Sequence, residues 1–144
     1  MSTPVVRPSD VATLDAILHA SYEVISGPAG QPRDWGRFRS LFLADARLMP
    51  VVSVAGERSR VRILSVEDYI RRVEPIFATE DFWEVETTRQ TETFGQVAHV
   101  LSSYESRRSP NGAPFDRGAN SMQLLNDGSR WWIVSIMWNT PRSE

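Results

Sequence analysis

The sequence predicts an α+β domain in which N-terminal helices cover an antiparallel sheet. Three observations carry that reading. The stretch from Phe82 to Thr140 reads as four long strands, rich in Val, Ile, Leu, Tyr, Trp, Ser and Thr, residues that suit a pleated and packed surface. Gly95-Gln96, Pro110-Asn111-Gly112 and Asn126-Asp127-Gly128 separate these strands with the residues that tight hairpins need. Ahead of Phe82, apolar residues recur at helical spacing, and helices followed by a meander form a layered α+β architecture. The 144 residues make one domain, 1–144, without an internal repeat or a low-complexity linker.

Each element has its own signal. Met1 to Pro8 reads as a loose arm. Ser9 or Asp10 caps a first helix, whose stripe is Leu14, Ile17, Leu18, Ser21, Tyr22 and Ile25. Gly27 stops it, and Gly27 to Pro32 is a loop, because its prolines and glycines suit neither helix nor central strand. Asp34 caps a short second helix that buries Trp35, Phe38, Leu41 and Phe42. Ala44-Asp45-Ala46 is the turn out of it. Arg47 to Val54 is a strand whose Pro50 fits an edge or a bulge. Arg58, Arg60 and Arg62 lie on a short strand or a solvated loop. Ser65 to Ala78 is a third helix, opened by a capping box at Ser65-Val66-Glu67-Asp68, with Tyr69, Ile70, Val73, Ile76 and Phe77 on its apolar side. Pro75 kinks or ends it.

Composition excludes several chemistries. A net charge of −2 leaves no electrostatic footprint for nucleic acid. There is no cysteine, hence no disulfide, thiol nucleophile or thiolate metal site. All 16 basic residues are arginine, which excludes a Schiff-base lysine and a phosphate-binding loop of the kind that needs one. No His/Asp/Glu cluster has metal-ligand spacing, so neither a metal nor another cofactor is expected. No stretch is long and apolar enough to span a bilayer, and the expected location is the cytoplasm.

The chemistry-bearing residues are few. Of the two histidines, His19 lies off the stripe of the first helix, while His99 lies mid-strand. A histidine facing a cavity there would suit proton transfer; otherwise it is a hydrogen-bonded core or interface residue. Strand parity sets His99, Leu101, Ser103 and Glu105 against Ala98, Val100, Ser102 and Tyr104. It sets Arg117, Ala119, Ser121, Gln123 and Leu125 against Gly118, Asn120, Met122 and Leu124. On the last strand it sets Trp131, Ile133, Ser135 and Met137 against Trp132, Val134, Ile136 and Trp138. Both rows of that strand are apolar, so the outer face of the sheet is expected to be covered by a second copy of the chain.

Several segments together resemble the nuclear transport factor 2-like superfamily, in particular its SnoaL-like and ketosteroid-isomerase-like bacterial members. They are Asp34-Trp35-x-x-Phe38-x-x-Leu41-Phe42, Asp45-Ala46-x-Leu48, His99-Val100-x-x-x-Tyr104-Glu105, Arg117-Gly118-x-Asn120-Ser121-x-Gln123-Leu124 and Asp127-Gly128-x-x-Trp131-x-Ile133. The resemblance implies a cystatin-like cone, in which a strongly curved antiparallel sheet wraps the helices and leaves a pocket at one end. It does not choose a function, since members include isomerases, dehydratases, cyclases, binding modules and dioxygenase small subunits. Ketosteroid isomerase places a tyrosine donor on its first helix, which Tyr22 resembles. Its basic aspartate has no counterpart at Met49-Pro50, and its late-strand acid is replaced by Asn120, Ser121 and Gln123.

Three functions follow as expectations. The first is a pocket protein for a small, partly apolar ligand, with Tyr22, His99, Asn120 and Gln123 as polar contacts and Trp35, Tyr104 or Trp138 as aromatic walls. The second is an isomerase, dehydratase or cyclase using His99 with Tyr22 or Asp45. The third is a structural subunit resembling the small subunit of ring-hydroxylating dioxygenases.

Overall fold

The computed structural model describes residues 6–141, and Met1 to Val5 of the expected arm lie outside them. In chain order the elements are α1 (Pro8–Val11), α2 (Leu14–Glu23), α3 (Trp35–Ser40), β1 (Phe42–Val52), β2 (Arg60–Val61), α4 (Val66–Thr79), β3 (Trp83–Phe94), β4 (Val97–Arg107), β5 (Pro114–Asn126) and β6 (Trp131–Asn139). No helix among the described residues is long and apolar enough to cross a membrane.

The caps follow local chemistry. Thr13, rather than Ser9 or Asp10, caps α2, its hydroxyl accepting from the Ala16 N–H at 3.0 Å. Pro8 instead opens the short turn α1, whose Asp10 is buried. That carboxylate accepts from Arg37 Nε and Nη2 at 2.8 and 3.0 Å, and Arg37 Nη1 reaches Glu23 at 2.7 Å. One buried guanidinium thus ties α1, α2 and α3 together. Asp34 caps α3, Ser65 and Asp68 form the expected capping box of α4, and Pro75 sits inside α4 without ending it.

The strands form one sheet in the order β2-β1-β6-β5-β4-β3. The meander β3 to β6 is antiparallel as expected, but β1 runs parallel to β6, so the sheet is mixed. The reason lies at the exit of α3, where the Leu41 carbonyl accepts from the Ile133 N–H at 2.9 Å and starts β1 beside the beginning of β6. Ala44-Asp45-Ala46 is not a turn. It lies within β1, where the register slips between Phe42 and Arg47. Pro50 stands in β1 next to the two-residue edge strand β2 and accepts from the Arg62 N–H at 3.0 Å.

Bulges bend the meander and reset which side chains face inward. On β3 the register slips between Glu86 and Thr88. On β6 Gln123 pairs with Ser135 but Leu124 with Ile133, which leaves Val134 as an extra residue. Simple alternation therefore fails on β6. Ile133 and Ile136 are both buried, while Met137 is exposed. The hairpin between β5 and β6 closes on Asp127, which accepts from the Ser129 and Arg130 N–H groups and from Trp132 Nε1. Arg130 lies 3.5 Å over the Trp132 ring, so that tryptophan is satisfied within its own hairpin. Gly95 and Gly128 take the positive φ that the hairpin turns require.

The core lies between the helices and the inward row of the sheet. Phe38 is at its centre, 4.8 Å from the Phe42 ring and stacked on Tyr69 at 5.4 Å. Leu41 and Phe42 are buried with it, whereas Trp35 is only half-buried. Truncation of Phe38 to alanine is expected to cost about 3–5 kcal/mol in urea unfolding, as for other buried aromatics. A loss of less than about 1 kcal/mol would remove α3 from the core.

Candidate functional site

Between α2, α4 and the inner face of β3 to β6 lies a cavity of about 320 Å³. Its apolar walls include Phe38, Phe77, Phe82, Met122, Ile136 and Trp138. It opens where the exposed Arg72 and Ile76 of α4 form a rim.

Strand register builds the polar wall. Glu84 pairs with Ser106 and Ser106 with Asp116; Glu86 pairs with Tyr104 and Tyr104 with Gly118; Ser102 pairs with Asn120 and Asn120 with Trp138. Three polar rows thus cross the concave face. The β3 bulge turns Arg89 inward beside Glu86, and the two pair at 2.7 Å.

The hydrogen bonds in this wall have a fixed direction. The Glu86 carboxylate accepts from the Ser102 hydroxyl. Ser102 Oγ lies 2.6 Å from the Tyr22 hydroxyl, and that hydroxyl accepts from Asn120 Nδ2 at 3.0 Å. Since Ser102 has given its proton to Glu86, Tyr22 must donate to Ser102. Its oxygen is then engaged by Asn120. Tyr22 lines the cavity, but its only O–H is committed inside the wall, so it is not a free donor of the kind the resemblance implied. Burial also pushes its pKa up.

The free hydroxyl belongs to Tyr69 on α4. It has no hydrogen-bond partner among the described residues and lines the cavity. Its ring is held between Phe38 and Trp138. Tyr104 crosses β5 instead, and its hydroxyl meets Thr140 Oγ1 at 2.7 Å. A Cβ on Gly118 would fall 2.5 Å from the Tyr104 oxygen, so the glycine is required for space.

The group missing from the sequence reading is Glu84. It is half-buried on β3 and lines the cavity. Burial pushes its carboxyl up to about 8, against the Asn120 amide, which hydrogen-bonds the charged form. Burial, with Glu84 adding to it, pushes Tyr104 up to about 12 and also raises Tyr69. The signal in the sequence was the inward row of β4, which changes from Ala98 and Val100 to Ser102, Tyr104 and Ser106. A polar inward row faces a cavity rather than a packed core.

Of the expected site residues, Tyr22, Tyr104, Asn120 and Trp138 meet at the cavity. His99 and Gln123 do not. They pair on the outer face, where His99 Nε2 lies 3.3 Å from Ser121 Oγ. No bulge interrupts β4 from Val97 to Ser106, so His99 cannot share a face with Tyr104. Trp35 packs edge-on against Phe38 and lines a separate groove with Arg33 and Glu74. Asp45 is exposed in the β1 irregularity, away from the cavity.

No family model and no curated protein matches the chain. Solved structures do. An NTF2-like protein of unknown function from Silicibacter pomeroyi is 18% identical, with TM-score 0.60 over 90% of this chain and 94% of its own. Another NTF2-like protein of unknown function, from Pseudomonas putida, is 9% identical, with TM-score 0.66 over 90% and 85%. A Streptomyces avermitilis protein described as a candidate dehydratase of the NTF2-like family is 18% identical, with TM-score 0.63 over 93% and 97%. At these identities the likeness is one of fold, and the chain has the NTF2-like fold.

Glu84 leaves a thermodynamic signature. An unfolded glutamate titrates near 4.3. Between that value and about 8 the native state holds the proton and the unfolded state does not. Stability contributed by this group is therefore present at low pH and falls as pH rises through that window, by up to about 1.4 kcal/mol per unit. Glu84→Gln should flatten this slope and raise the pH 8 stability in urea titrations. An unchanged slope would mean that the carboxyl is not buried in a proton-holding environment.

Proposed function

We propose that the chain binds a small, partly apolar molecule in this cavity and that Glu84 exchanges a proton with it. One observation supports the reading above others: a carboxyl stands on an aromatic-walled cavity held by burial and an amide, with no guanidinium acting on it. A volume of about 320 Å³ is at the lower end of small-molecule sites, which combine apolar walls with a few polar anchors. Here the anchors are Glu84, the Tyr69 hydroxyl and the Asn120 amide.

The test is ligand-observed NMR with small neutral bicyclic alcohols and ketones. Binding is expected to disappear when Val73, on the cavity wall, is replaced by tryptophan, and to persist in Glu84→Gln with an altered pH dependence. Binding unaffected by Val73→Trp would place the ligand elsewhere.

A second reading is an enzyme of the isomerase or dehydratase type, with Glu84 in the role first expected of His99. A carboxyl poised near ambient pH, beside the donor Tyr69, favours it. A bound ketone should then exchange α-hydrogen for deuterium in D2O, and Glu84→Gln should slow that exchange at least about a hundredfold, the range of one positioned acid or base. Equal rates would leave a binding protein.

A homodimer across the sheet remains part of this proposal, on revised grounds. The outer face carries exposed Val97, Leu101 and Met137 among short polar side chains, and Glu105 opposite Arg117, so a two-fold copy meets apolar with apolar and acid with base. Sedimentation equilibrium at micromolar concentration should give twice the chain mass, reduced to one by Leu101→Arg. A monomer mass for the unaltered chain would refute it.

A further inference from the structure

Several buried and half-buried acids among the described residues follow a pattern. Asp10 is held by Arg37, Glu86 by Arg89 and Glu105 by Arg107, each at 2.7–2.9 Å. A carboxylate removed from water needs such a partner, because desolvation otherwise favours its neutral form. Glu84 departs from the pattern. It stands on the cavity wall with an amide, Asn120, where the others have a guanidinium.

The neighbours from each packed element do not change this. From α2, Tyr22 has its proton committed to Ser102. From α4 come the neutral Tyr69 and, at the rim, Arg72, whose charge acts on Tyr69 and is not among the influences on Glu84. From β4 comes Tyr104. From β5 comes Asp116, a second acid in the same row. Tyr69, Tyr104, Phe82 and Trp138 line the same cavity as the carboxyl. Aromatic walls around a carboxylate stabilise an organic cation twice, by ion pairing and by cation–π attraction.

We propose that the ligand of this cavity carries a basic nitrogen, which pairs with Glu84 as an ammonium group while its apolar body occupies the space between Phe38, Phe77 and Ile136. The proposal rests on the reading of the cavity as a small-molecule site and names the ligand class. No bond is made or broken. The proton of a neutral Glu84 passes to the amine, or the ammonium arrives charged and the Glu84 proton leaves to solvent.

The probes are three molecules of one shape: 2-naphthylmethylamine, 2-naphthylmethanol and 2-naphthoic acid, titrated calorimetrically at pH 7. The amine is expected to bind at least about tenfold more tightly than the alcohol, equivalent to about 1.4 kcal/mol, and the acid most weakly. Glu84→Gln should bring the amine to the level of the alcohol measured in the same variant. Titrations of the amine in two buffers of different ionisation enthalpy should reveal proton exchange with the buffer in the unaltered chain and less in Glu84→Gln. Alcohol binding as tight as that of the amine overturns the amine proposal alone, as does an amine preference that survives Glu84→Gln. Binding by none of the three overturns the small-molecule reading and this proposal with it.

Discussion

The hydroxyl of Tyr22 holds the concave face together. Through Ser102 and Asn120 it pins α2 to β4 and β5, and through Ser102 it reaches Glu86 on β3. The contacts join residues 80 and 98 positions apart and so depend on the sheet curling over the helix. Its direction matters as much as its presence. Glu86 can only accept, and that single constraint sends the Tyr22 proton to Ser102 and leaves the Tyr22 oxygen to accept from Asn120. The polarity of the candidate site is therefore set by a carboxylate that lies outside it, itself held by Arg89 and, through Arg89, tied to Asp15 on α2.

Arginine supplies every cation in this chain, and its geometry explains how so many are used structurally. Arg33 spreads its guanidinium over the carbonyls of Ile25, Gly27, Pro28 and Gln31 and organises the proline-rich loop before α3. Arg37 serves two carboxylates on two helices at once, and Arg39 makes a two-pronged bond to Glu67. A lysine ammonium has no fixed fork and could not satisfy these planar sets. Against that background Glu84 is conspicuous for having only an amide, and its chemistry follows from desolvation that no protein charge offsets.

Much of the fold was legible in the sequence because local signals agreed with one another. Asp34 and the Ser65 capping box marked true helix starts, and the three turn clusters marked true hairpins. The rows of β4 and β5 were right because no bulge interrupts their inward stretch, and those rows delivered Tyr22's partner Asn120 together with Tyr104. Alternation failed on β6, where Val134 inserts a residue and moves Ile136 and Trp138 to the same side as Ile133. It also hid Glu84. On β3 the apolar residues Trp83 and Val85 alternate with Glu84 and Glu86, and the usual rule sends the acids to solvent. Here the inward side of that strand is a cavity with polar partners on β4, so the acids face in. A period-two pattern identifies two faces, but only long-range pairing tells which of them is covered, and by what. The same limit misplaced His99, whose chemistry suited a cavity but whose register puts it outside.

The cavity is walled by packed aromatic rings and by the hydrogen-bonded Tyr22 network. Phe77 stacks on Phe82 on one side, and on the other Phe38 stacks on Tyr69, which meets Trp138 edge-on, with ring centroids 5.2–5.9 Å apart. The rows of β3 to β5 fix its far wall by backbone pairing. Collapse would require breaking the Tyr22 network or moving Tyr104 off Gly118, where the lack of a side chain leaves the only room for it. What remains is a preformed space whose unfilled needs are a donor's partner at Tyr69 and a cation or a proton at Glu84. A ligand that meets both adds attraction without paying for rearrangement, the condition under which a small apolar body binds well.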